Sequence, residues 1–131
     1  MIFKSRWLHL VVYMSLLILG SIGPALPSDG KFAGISIDKF YHAIAYAILG
    51  ILVSKTVETD MTTKKNRKPI TIIFFATLTC IIFGAVIELL QILTPPRTAS
   101  LLDIIANGIG GVTGAIIFTA FTKFRAEKTT G

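Results

Sequence analysis

Residues 83–111 read FGAVIELLQILTPPRTASLLDIIANGIGG. Two apolar runs meet there at a Pro-Pro turn, and Glu88, Gln91, Arg97, Asp103 and Asn107 lie in or beside them. A soluble helix would repeat polar residues on its outer face at every turn. These runs do not, so the polar residues that are present need a different explanation. They make sense if the solvent is hydrocarbon and a polar group needs a protein partner.

The rest of the chain agrees. Of 131 residues 53% are apolar and only 15% charged, with a mean hydropathy of +0.74. A helix needs roughly 20 apolar residues to cross a bilayer core. The spacing predicts helices over residues 7–26, 37–57, 69–93 and 100–121, the first of them only by continuing across Pro24. The expected architecture is all-α, a single compact transmembrane bundle of four helices with short connections. Lys4 and Arg6 ahead of the first run, with GSIGPALPS behind it, also fit a cleavable signal segment that would leave three helices.

A net charge of +6 invites a nucleic-acid reading, but the distribution opposes it. Lys4 and Arg6 precede the first helix, Lys55 ends the second, and Lys64, Lys65, Arg67 and Lys68 fill the 58–68 loop. Lys123, Arg125 and Lys128 close the chain. All fall on one side of a four-pass topology, leaving Lys31, Lys39 and Arg97 for the other. By the positive-inside rule both termini and the 58–68 loop are expected in the cytoplasm. Membrane lipids account for the basic side, and nucleic acid is not expected as a partner.

Alternating helix directions then carry the polar residues to one outward-facing end. Asp38, His42 and Tyr46 recur at i, i+4 and i+8, with Lys39 beside them; Gly84, Glu88 and Gln91 share a face of the third helix. Asp103 and Asn107 lead into Gly110 and Gly114 on the fourth. His42, Glu88, Asp103 and Asp38 are the candidate acid–base residues. Lys39, Tyr46, Gln91, Arg97 and Asn107 are the candidate substrate contacts. Gly84, Gly110 and Gly114 are expected to let helices approach closely. The Gly110–Gly114 face could instead meet another envelope protein, and a homo-oligomer is a further partner the sequence leaves open.

Several residues have plainer readings. Asp103 stands three residues after Ser100, the acidic place of a capping box, and Asp38 suits the first turn of a helix preceded by Ser36. Glu88 has no such excuse, since the C-terminal end of a helix disfavours an anion. His9 is expected to be interfacial and without company, and Cys80 a small buried hydrophobe.

Together, DKFYHAIAY, ELLQ and RTASLLDIIANGIGGVTG resemble the VanZ-like family of small bacterial membrane proteins. The shared positions are Asp38, Lys39, His42, Tyr46, Glu88, Gln91, Arg97, Ser100, Asp103, Asn107, Gly110 and Gly114. The second proline of TPPR departs from the glycine often found before the family's arginine. The resemblance implies a cell-membrane protein whose namesake is linked to teicoplanin resistance at the envelope.

Two functions are expected to compete. One is binding or modulation of an envelope lipid or lipid-linked cell-wall component in an extracytoplasmic pocket. The other is an intramembrane hydrolase or transferase acting on such a lipid by acid–base or metal-assisted chemistry. No cofactor is fixed by the sequence; a divalent cation is what Asp38, His42, Glu88 and Asp103 would take. No Ser or Cys stands beside a base, which disfavours covalent catalysis. The polar stripe does not cross the membrane, which disfavours transport.

Overall fold

A computed structural model describes residues 2–23, 30–60, 68–93 and 99–130. Helix α1 covers Ile2–Ile22, α2 Ile37–Asp60, α3 Pro69–Ile92 and α4 Leu101–Thr130; a two-strand hairpin, β1 Lys31–Phe32 and β2 Ile35–Ser36, precedes α2. The fold is all-α with four helices, as the apolar periodicity requires. Ile37–Glu58, Pro69–Ile92 and Leu101–Thr129 are long and apolar enough to cross a membrane, whereas the apolar part of α1, Trp7–Ile22, is shorter.

The expected boundaries shift at several ends. Helix α1 begins before residue 7, and its expected continuation to residue 26 lies outside the described residues, as do Arg97 and most of the 58–68 loop. Helix α2 runs on to Asp60, and α4 runs to Thr130 rather than 121. At about 1.5 Å per residue α4 is some 45 Å long, well beyond a 30 Å hydrocarbon core. Its surplus turns carry Arg125 over the Phe121 ring and Lys128 over Phe124, local pairs that keep a helix going in water.

The hairpin was not expected. It pairs Lys31 with Ser36 and Phe32 with Ile35. Ala33 (φ 51°) and Gly34 (φ 81°) both take positive φ, as a two-residue hairpin turn demands. Phe32 packs edge-on against Phe40 at 5.8 Å, seating the hairpin on the start of α2.

The three long helices build the centre. On α3, Ile72, Ala76, Cys80, Gly84 and Glu88 recur every fourth residue as one buried stripe. Helices α2 and α4 pack backbone to backbone: a Cβ on Gly110 would strike the Ala43 carbonyl, one on Gly114 the Ala47 carbonyl, and one on Gly50 the Gly111 carbonyl. The Gly110–Gly114 face is therefore occupied within the chain, which corrects its reading as a docking face for another protein. Outward, Ile44, Ile48, Phe74, Leu89, Ile105, Ile109 and Ile116 are exposed. So much apolar surface is at home against acyl chains. Helix α1 lies alongside through Leu10, Tyr13, Met14 and Leu17.

Candidate functional site

Helices α2 and α4 begin at the end of the bundle where α3 stops, so their first turns and its last turn share a level. Across the α2–α4 seam, Lys39 Nζ donates to Asp103 Oδ1 and, at 3.1 Å, to its neighbour Asp38 Oδ2. One ammonium thus ties the two carboxylates together. His42 comes a turn deeper on α2 and meets Asn107 a turn deeper on α4, Nδ1 to Oδ1 at 3.0 Å. The other ring nitrogen, Nε2, is 3.7 Å from Asp103 Oδ2 and 3.9 Å from Asp38 Oδ1. Each aspartate gives one oxygen to Lys39 and turns the other toward His42.

This corrects the capping reading of Asp103. The Ser100 carbonyl accepts the Asp103 and Ile104 N–H groups, as an N-cap carbonyl does. The Ser100 N–H, which a capping-box acid would accept, donates instead to Glu88 Oε2 of α3 at 2.8 Å. Glu88 fastens α4 to α3, and Asp103 serves the Lys39–His42 cluster.

Gly84 also changes role. A Cβ there would sit 2.6 Å from Asn107 Nδ2. Its missing side chain makes room for an amide rather than for a neighbouring backbone. Gly111 likewise makes room for the Cys80 side chain of α3, and sequence reasoning overlooked it together with Gly50, Ala43 and Ala47. Small residues on a single chain do not announce which partner lies opposite.

Glu88 is 2% exposed, Gln91 4%, Asp103 6%, Asn107 0% and Tyr46 2%. Glu88 Oε1, Asn107 Nδ2 and the Tyr46 hydroxyl find no hydrogen-bond partner among the described residues. Burying such groups without a partner costs about 1–3 kcal/mol each, so they are groups that a bound water, ion or ligand would satisfy.

A cleft of about 240 Å³ opens on this level between α1, α2 and α3. Leu16, Leu17, Gly20 and Ser21 form its α1 wall. Asp38, Tyr41, His42, Ala45 and Tyr46 form its α2 wall, and Gln91 of α3 completes it. Of the expected substrate contacts, Tyr46 and Gln91 line this cleft. Lys39 and Asn107 stand behind His42 and Asp38 as supports, and Arg97 lies outside the described residues. Tyr41 was missed, although it stands three residues after Asp38 on the same side of the helix.

Chemically, Asn107 Oδ1 accepts the Nδ1–H of His42 and so leaves Nε2 to take up or release a proton before two carboxylate oxygens. Ligand atoms of Asp38, His42 and Asp103 lie within 4.8 Å of one another, a set able to hold a divalent cation. Lys39 neutralises the opposite edge of the same pair.

Neither the curated proteins nor the solved structures hold a match to this chain. The VanZ/LLP1 family profile matches residues 2–122, nearly the whole length and every helix of the bundle. The DKFYHAIAY and LLDIIANGIGG segments of this membrane protein supply the two sides of its polar cluster, and the chain belongs to the VanZ/LLP1 family.

Proposed function

We propose that this protein binds the polar head of an envelope lipid or lipid-linked cell-wall component in the α1–α2–α3 cleft, from the extracytoplasmic side of a bacterial cell membrane. The observation behind this reading is the cleft's two-sided chemistry. Apolar Leu16 and Leu17 face Asp38, His42 and Gln91 across it. An amphiphile satisfies both walls at once: hydroxyl, amide or amine groups meet α2 and α3 while its hydrocarbon stays against α1. The basic residues clustered at the opposite end support the outward orientation.

The test is binding of defined lipid-linked precursors to purified protein in lipid nanodiscs. His42→Ala and Gln91→Leu should each weaken binding about tenfold, roughly 1.4 kcal/mol. Unchanged affinity in both variants overturns the reading. The VanZ relationship adds a cellular readout, since a protein that modulates such a component should shift teicoplanin susceptibility when overproduced.

One observation favours a second reading, an intramembrane hydrolase or transferase. His42 is held by Asn107 with Nε2 facing Asp38 and Asp103, an arrangement suited to a general acid or base. In that case His42→Gln abolishes turnover of the bound lipid while leaving its binding within a few-fold. A divalent cation on Asp38, His42 and Asp103 would supply charge stabilisation, read as metal-dependent turnover.

A further inference from the structure

A second, larger cleft of about 440 Å³ lies at the other end of the α1–α2 boundary. Leu8, Val12 and Leu16 recur every fourth residue along α1 and face Leu52 of α2. The mouth is different in kind. His9 and Lys55, both exposed, stand there beside Thr56. His9 therefore has the company that the sequence did not suggest. Lys68 before α3 and Lys123, Arg125 and Lys128 near the end of α4 lie at the same end of the bundle.

From this geometry we infer that the groove takes one acyl chain of an anionic phospholipid from the leaflet on the basic side, with its phosphate at His9 and Lys55. Charge selects the head: the residues at the mouth are basic or neutral, and the surrounding end, which also holds Glu58, Asp60 and Glu127, carries more basic than acidic residues and attracts acidic lipid. Length selects the chain. Leu8 to Leu16 spans about 12 Å of helix, within the roughly 15 Å depth of one leaflet. A chain entering at Lys55 thus ends near the bilayer midplane, beside Leu16. This site is separate from the polar cleft and does not depend on the function proposed for it; the two share only Leu16.

Trp7, the sole tryptophan of the chain, precedes Leu8 and reports on the groove. The whole protein is reconstituted in phosphatidylcholine bilayers containing a small fraction of chain-brominated lipid, either phosphatidylglycerol or phosphatidylcholine, at equal bromine content. Brominated phosphatidylglycerol should quench Trp7 more strongly. Lys55→Gln should lower that selectivity about fivefold, the effect expected of one basic residue near an acidic headgroup. His9→Gln should lower it further. Val12→Phe, which fills the groove, should reduce the selective quenching without touching a charge. Cys80 is fully buried in the bundle, so its resistance to thiol reagents checks that each variant is folded.

Equal quenching by the two lipids overturns the inference, leaving ordinary boundary lipid. Selectivity that survives Lys55→Gln with His9→Gln also overturns it. Quenching that falls as protein-to-lipid ratio rises overturns it in favour of a second copy of the chain covering the groove. The polar-head assay with His42→Ala is read in the same bilayers, so failure of one site is distinguishable from failure of the other.

Discussion

Helix α2 has two neighbours that it meets by opposite means. Toward α4 it presents Ala43, Ala47 and Gly50, and the backbones come so close that no methyl group fits at Gly110 or Gly114. Toward α1 it is met by longer side chains such as Leu10, Tyr13 and Leu17, and Tyr13 bonds the Ala45 carbonyl at 2.9 Å. The two polar groups that must register most closely, Lys39–His42 and Asp103–Asn107, sit directly above the tight seam. The cleft lies on the loose side. In hydrocarbon, where apolar contact between helices has little hydrophobic driving force, close packing is the main device for fixing helix positions.

The comparison breaks most directly at Gly114. Gly114→Leu should cost about 3 kcal/mol or more, because the Ala47 backbone cannot yield as a flexible side chain would. Denaturant titration in micelles, with Cys80 thiol exposure as the probe, would measure it. An unchanged midpoint would mean that the seam does not set the fold.

Next comes Lys39→Met, which leaves Asp103 buried without its ammonium. A loss of about 2–3 kcal/mol is expected, less than for a fully buried pair because the Lys39 side chain remains 20% exposed. Adding Asp103→Asn should recover most of it. If the double variant is no better than the single one, the pair is not the source of the loss.

Gly84→Ala sharpens the site side of the comparison. Its Cβ displaces Asn107, at about 1–2 kcal/mol, and frees His42 Nδ1 from its partner. Nitrogen NMR of the His42 ring should register the change even if overall stability holds. Tyr13→Phe, on the loose side, should cost only about 0.6 kcal/mol, the usual worth of a hydrogen bond between membrane helices. A loss as large as that at Gly114 would show α1 to be as firmly fixed as α4.

The helices were legible because their apolar runs are longer than anything a small soluble core needs. So was the gathering of Asp38, His42, Glu88, Asp103 and Asn107 at one end, since helix direction alone decides it. What stayed hidden is pairing. Ser100 and Asp103 look like a local capping box, and only the tertiary structure shows that Glu88 takes the Ser100 N–H while Asp103 turns to Lys39. Gly84 and Gly110 look alike on a helix surface, yet one admits an amide and the other a backbone. The continuation of α4 to Thr130 was missed because Lys123–Lys128 read as a flanking charge cluster, although such residues are also good helix formers.

The Glu88–Ser100 bond has a practical consequence. It clamps the start of α4 to the last turns of α3 through a single carboxylate oxygen. Losing that one carboxylate should free the start of α4 from α3, even though neither helix would lose a hydrogen bond of its own ladder.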